Sequence, residues 1–232
     1  MSWLRYLLYF IAIAFITWAL TQMELASPGS LKLYVLLSDA DRIGTSEYSP
    51  VEIIQAIILG LCAAVMWWVA RYCPSQQAMA IPFGGMALAF LIRELAYFFD
   101  SLLVRNLWQI LIVVVGALVI VHVFRNRKRL KIALARIWPS PGLTLLFAGA
   151  VVLFAFVRLV GQESLWMSIL GDDYRRIVKL AVEEFIELLG YFLWMIGSIE
   201  YAFQARAIAV AEPQPAARRL RVRRRNKTQR RY

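Results

Sequence analysis

Six long apolar runs dominate the sequence and leave few folds open to it. They cover residues 3–22, 52–71, 79–100, 107–124, 141–160 and 179–203. A helix needs about 20 apolar residues to cross the hydrocarbon core of a bilayer, whereas a membrane strand needs about half as many and alternates in polarity. The runs therefore predict an all-α polytopic membrane protein, in which residues 1–203 form a bundle of six transmembrane helices. We expect the first run to be a retained anchor, because its apolar part is long for a signal peptide.

The composition supports the membrane class and excludes some kinds of site. Hydrophobic residues make up 61% of the chain, whereas a soluble domain is closer to half apolar. The only histidine is His122, and the two cysteines, Cys62 and Cys73, do not form a metal-binding pair or a disulfide framework. One chain therefore cannot supply two histidines to a haem or three to a catalytic zinc. The sequence predicts no cofactor.

The basic residues predict how the bundle is oriented. With the N-terminus inside, 18 of the 26 Lys and Arg residues fall on the cytoplasmic side and 6 outside, and Arg93 and Arg158 lie within spans. Loops rich in Lys and Arg stay in the cytoplasm. Both termini are therefore predicted to be cytoplasmic, and residues 23–51 form an external loop. These flanks, with no organellar targeting signal, favour the plasma membrane, specifically the inner membrane of a bacterium.

Two basic segments are predicted to face the cytoplasm. In residues 125–138 one helical side carries Leu130, Ala133, Leu134, Ile137 and Trp138, with the cations of 125–136 around it. This segment is either an interfacial helix on anionic headgroups or an ordinary flank of the fourth span.

The second basic segment is the tail, residues 204–232, whose cations at 218–231 are also expected to bind anionic lipid. No nucleic acid is expected as a partner, because no aromatic platform accompanies the arginines. A homo-oligomer is compatible with the sequence.

Charged residues inside the third and sixth runs are the strongest indication of a site. Glu183 and Glu187 are four residues apart and share a helix face, which continues through Gly190, Trp194, Gly197 and Tyr201. The glycines allow another helix to approach closely. This face is therefore predicted to point into the protein.

Under the predicted topology, charged groups from three spans lie at one depth below the outer boundary. We name this set the outer cluster, and it consists of Arg93, Glu94, Asp100, Arg158, Glu183, Glu184 and Glu187. Ionisable groups within a membrane are costly unless they are paired, and they commonly mark function. Because carboxylates outnumber arginines here, the cluster is expected to hold a proton or a cation.

A second polar group is predicted near the cytoplasmic boundary. His122 ends the fourth span, and Glu200 lies near the end of the sixth. Together they could form an inner relay, although a histidine at a helix end is more often an interfacial residue.

Three functions agree with these patterns. The first is binding or movement of a cation, a proton or a polar lipid headgroup at the outer cluster, because carboxylates are ligands for hard cations. The second is an intramembrane lipid-modifying enzyme, although the chain has no GxSxG or HExxH motif and no catalytic residue can be assigned. The third is a structural or assembly protein, whose charges only clamp helices together.

Overall fold

The part of the chain that the structure describes is all-α apart from one pair of short β-strands. The computed structural model describes residues 2–31, 35–37, 42–44, 49–96, 98–99 and 106–211. Within these residues the helices are α1 (Ser2–Ala26), α2 (Pro50–Tyr72), α3 (Gln77–Glu94), α4 (Leu107–Ile137), α5 (Pro141–Val160), α6 (Glu163–Leu170) and α7 (Arg176–Ala211). Two short antiparallel strands, β1 (Val35–Leu37) and β2 (Arg42–Gly44), pair between α1 and α2.

Four of the helices are long and apolar enough to cross a membrane, namely α1, α2, α4 and α5. The other two predicted spans are also helical and correspond to α3 and α7. Neither of these helices is long and apolar enough to count as a membrane span by length and composition. Both helices carry polar and charged residues that lower their mean hydropathy. Composition alone therefore indicates four spans, and the six-span bundle is not established.

The boundaries of two helices follow from capping residues in the sequence. Ser49 caps α2 by accepting a hydrogen bond from the Glu52 backbone N–H, and the Glu52 carboxylate accepts one from the Ser49 N–H in return. This reciprocal arrangement satisfies backbone donors that a helix start leaves unpaired. Ser140 caps α5 by accepting a single hydrogen bond from the Leu143 backbone N–H. A proline follows the cap in both helices, where its fixed φ suits the first turn.

The helix α7 lies at the centre of the structure and packs against α2 and α5. Its fully buried side chains include Tyr191, Phe192, Trp194 and Tyr201. Two phenylalanines of α3, Phe83 and Phe90, meet this aromatic row edge-on or tilted. The residues predicted to form the inward face of the sixth span are accordingly buried from Glu187 to Tyr201.

The helices α1 and α4 lie at the periphery and expose most of their apolar surface. Side chains such as Trp3, Phe10 and Trp18 of α1, and Val113 and Phe124 of α4, are exposed. Apolar surface of this extent is unusual on a soluble monomer and is what acyl chains would cover. The exposed faces therefore support an integral membrane protein.

The basic stretch after the fourth predicted span continues α4 as a helix to Ile137, with non-helical backbone angles at Asn126. The predicted apolar side of this stretch packs on the protein, because Ala133 and Ile137 are buried and Leu130 and Leu134 lie against the core. Most of this apolar side therefore contacts protein, and binding of the surrounding cations to anionic headgroups stays a prediction.

Candidate functional site

Arg93, in the last turn of α3, joins two glutamates from different helices. Its Nη2 donates to Glu94 Oε1 at 2.8 Å and to Glu187 Oε2 of α7 at 2.5 Å. The side chains of Glu94 and Glu187 are only 8% and 7% exposed. The contact between the third and sixth predicted spans is therefore a buried Arg–Glu salt bridge, as the sequence suggested.

Tyr191 closes this network one helical turn beyond Glu187. Its hydroxyl donates to Glu94 Oε1 at 2.8 Å and accepts from Arg93 Nη2 at 3.3 Å. The ring of Tyr191 is fully buried and lies against Phe90. A buried ion pair is tolerated when further hydrogen bonds satisfy its remaining oxygens and protons. Tyr191 supplies these hydrogen bonds, and the packing of its ring fixes the position of the hydroxyl.

Glu184 lies beside this network but has a different kind of partner. Gln55 of α2 donates from its Nε2 to Glu184 Oε2 at 3.2 Å and to the Glu184 carbonyl at 3.1 Å. Glu184 is within electrostatic range of Glu187, Glu94 and Glu52. No cation pairs with Glu184 among the residues that the structure describes. We name the set Arg93, Glu94, Glu184, Glu187, Tyr191 and Gln55 the Arg93 cluster.

Glu183 and Arg158, two other predicted members of the outer cluster, make no contact with Arg93 in the described part of the chain. Glu183 pairs with Lys179 on its own helix at 3.0 Å. Arg158 is exposed, and no ion pair joins it to the acids of α7 in the described part of the chain. In this turn of α5 the neighbouring Val157 is buried instead, and a role for Arg158 in the site stays a prediction. Asp100 lies outside the described residues.

The two members of the predicted inner relay have separate partners. Glu200 is 2% exposed and receives two hydrogen bonds of 3.0 Å from the guanidinium of Arg5 in α1, and another from the Tyr9 hydroxyl. His122 is instead next to Asn126, which donates to the His122 carbonyl at 3.0 Å. In the described residues no hydrogen bond connects Glu200 directly with His122, and the relay stays a prediction.

Four partners in these networks were not predicted, namely Gln55, Tyr191, Arg5 and Tyr9. The sequence could have indicated that Gln55 and Arg5 have partners, because a polar residue within an apolar run needs a partner when it is buried. Arg5 was assigned to the cytoplasmic flank, and its pairing with Glu200 fastens α1 to α7. The position of Tyr191, four residues after Glu187, also gave it a place on the same helix face.

The arrangement of the acidic side chains bears on which ligand they could hold. Within the described residues, no three His, Cys, Asp or Glu side chains are placed to hold a metal ion. Arg93 occupies the space between Glu94 and Glu187 that a cation would otherwise take. The Arg93 cluster is thus a set of hydrogen-bonded carboxylates around one guanidinium.

Comparison with known proteins leaves the function to be inferred from this geometry. No protein-family model, no curated protein and no solved structure matches the chain.

Proposed function

We propose that this chain is a multi-pass membrane protein that binds an exchangeable proton at the Arg93 cluster. The observation that carries the proposal is the surplus of carboxylates over cations. Glu94 and Glu187 contact one guanidinium, and Glu184 lies beside them on α7, held by an amide donor. Uncompensated negative charge at a largely buried position is costly in a medium of low dielectric constant. A proton on one carboxyl group lowers this cost.

A proton suits the site better than a metal ion. One oxygen of each carboxylate is already engaged by Arg93, Tyr191 or Gln55, and no three acidic side chains of the described residues are placed to hold a metal. A proton needs only one carboxylate oxygen, and Glu184 is the carboxylate in the cluster without a cationic partner. Glu184 is therefore the expected carrier of the proton.

The substitution Glu184→Gln tests this assignment. In the full chain reconstituted in lipid, infrared difference spectra between acidic and basic pH should contain the carbonyl band of a protonated carboxyl group. We expect one component of this band to be missing in Glu184→Gln, because the amide has no exchangeable acidic proton. The same component should persist in Glu183→Gln, which changes the neighbouring residue that pairs with Lys179. A band that is missing in the wild-type protein at every pH at which it stays folded contradicts the proposal.

The second candidate function is a structural clamp, which the closure of the network favours. Arg93, Glu94, Glu187 and Tyr191 satisfy one another through four contacts, three of which join α3 to α7. A clamp of this kind needs no exchange of a proton with solvent. The infrared experiment separates the two functions, because a clamp alone predicts that the spectra of Glu184→Gln and the wild type coincide.

We also propose that α3 and α7 cross the membrane with the other four helices, with both termini in the cytoplasm. The pairing of Arg93 with Glu187 and of Arg5 with Glu200 supports an arrangement in which polar residues of α3 and α7 face protein. A C-terminal fusion to a reporter that is active only in the cytoplasm should be active in bacteria. A fusion to a reporter active only outside should be inactive, and the reverse result contradicts the topology.

A further inference from the structure

A cationic cavity lies at the other end of α3 from the Arg93 cluster. Arg93 and Gln77 are sixteen positions apart on this helix, which corresponds to about 24 Å. The cavity has a volume of about 350 Å³ and lies between the connection of α2 to α3 and the second half of α4. The polar residues that line it are Ser75, Gln77, His122, Asn126, Arg129 and Arg136.

Two polar atoms near this cavity are buried and unsatisfied. His122 Nε2 and Ser75 Oγ have no hydrogen-bond partner among the described residues. Buried polar atoms in folded proteins are normally hydrogen-bonded to protein, water or ligand. The first turn of α3 begins at the same place, and the positive end of a helix dipole favours an anion. Together these features describe a place for a negatively charged group with several acceptor oxygens.

An apolar groove continues from this cavity towards the middle of the bundle. It also has a volume of about 350 Å³ and runs between α2, α3 and α4. Its lining includes Met66, Trp67, Gly84, Leu88 and Leu118, together with His122. His122 therefore lies at the junction of the two spaces, with cations on one side and hydrocarbon on the other.

We infer that the groove and the cavity form one binding site for an anionic phospholipid. The phosphate would lie among His122, Ser75 and Arg129, and an acyl chain would fill the groove between Trp67 and Leu118. The order of the two parts along α4 matches a lipid, because the apolar half of the helix precedes the basic half. The charge of the cavity complements a phosphate, and a phosphate accepts hydrogen bonds from neutral donors as well as cations.

The site is tested by photolabelling in bilayers. The full chain is reconstituted in phosphatidylcholine with a trace of phosphatidylglycerol that carries a diazirine on its acyl chain. Mass spectrometry then compares labelling of the groove, at Trp67, Leu88 and Leu118, with labelling around Val113, an exposed residue earlier in α4. We expect this ratio to be higher for phosphatidylglycerol than for the matching phosphatidylcholine probe.

Two exposed residues of α4 provide a matched pair of variants. Arg129 lines the cavity, whereas Lys131 lines neither space. Arg129→Gln should lower the labelling ratio about fivefold, which is the effect of removing one cation close to an anionic lipid. Lys131→Gln should leave the ratio within twofold of the wild type.

Three results would overturn the inference. Equal labelling by the two probes would remove the role of headgroup charge. Equal effects of Arg129→Gln and Lys131→Gln would show only a diffuse attraction of the basic surface. Loss of labelling on addition of inorganic phosphate at millimolar concentration would indicate a site for small anions, without a requirement for an acyl chain.

Discussion

Replacement of Arg93 by alanine should lower the free energy of unfolding by about 3–5 kcal/mol, the cost of leaving buried charges without their partner. The guanidinium of Arg93 holds Glu94 and Glu187 together and contacts the Tyr191 hydroxyl. Without it, two carboxylates with little exposure stand close to each other. The loss can be measured as the change in unfolding free energy of the protein reconstituted in bicelles or detergent.

Arg158→Ala is the matched control for Arg93→Ala. Arg158 lies on α5 and is exposed, so its replacement should change the unfolding free energy by no more than about 0.5 kcal/mol. Equal losses in the two variants would contradict the assignment of Arg93 as the centre of the network.

A triple variant shows whether the charges of the cluster are needed for the fold. Arg93→Met, Glu94→Leu and Glu187→Leu together remove the ion pairs and supply apolar side chains. Replacement of a buried ion pair by packed apolar residues is often neutral or stabilising. We therefore expect the triple variant to be more stable than Arg93→Ala. A triple variant that is as unstable as Arg93→Ala would indicate that stability depends on the hydrogen bonds of the network and not only on charge balance.

Gly142→Ala is expected to destabilise the contact between α5 and α7 by about 1–3 kcal/mol, because it overpacks a rigid interface. A Cβ atom at Gly142 would meet the backbone N–H of Tyr201 and would stand 2.7 Å from the Tyr201 Cα. A flexible side chain could change its rotamer to relieve this contact, but the backbone of a helix cannot. The two helices must therefore move apart, and the packing around Trp194 and Tyr201 loosens.

Gly116→Ala is the control for this second prediction. Gly116 lies in α4, and a Cβ atom there has no neighbour within 4 Å among the described residues. Alanine is favoured over glycine in a helix by about 1 kcal/mol, so Gly116→Ala should be neutral or slightly stabilising. Thermal unfolding of both variants under the same conditions measures the difference. A Gly142→Ala protein as stable as Gly116→Ala would show that α5 and α7 are not closely packed at this position.

The apolar runs were sufficient to predict the bodies of six of the described helices and one contact between them. They did not predict α6, which lies between the fifth and sixth runs. Arg93 and Glu187 were predicted to meet because a charge on a buried helix face must be paired, and their positions along the two helices agreed. Their agreement in position is an agreement of depth below the membrane surface, and this depth follows from the rise per residue of a helix.

Depth below the membrane surface was insufficient to decide which neighbouring charged residues belong to the Arg93 cluster. Arg158 has a suitable depth but is exposed, and Glu183 is occupied by Lys179 on its own helix. The rotation of a helix about its axis depends on how its side chains pack against the neighbouring helices. This packing cannot be calculated from the periodicity of one span.

The sequence by itself determined that the chain is helical and apolar, and that any buried charge must have a partner. Only the tertiary structure decided which partners these are, since Glu184 meets Gln55 of α2 and Glu200 meets Arg5 of α1. The physical reason is that the need for a partner arises from the free-energy cost of desolvating one charged residue. This cost depends on that residue and on its position within an apolar run. The identity of the partner depends on the packing of whole helices, to which every buried residue contributes.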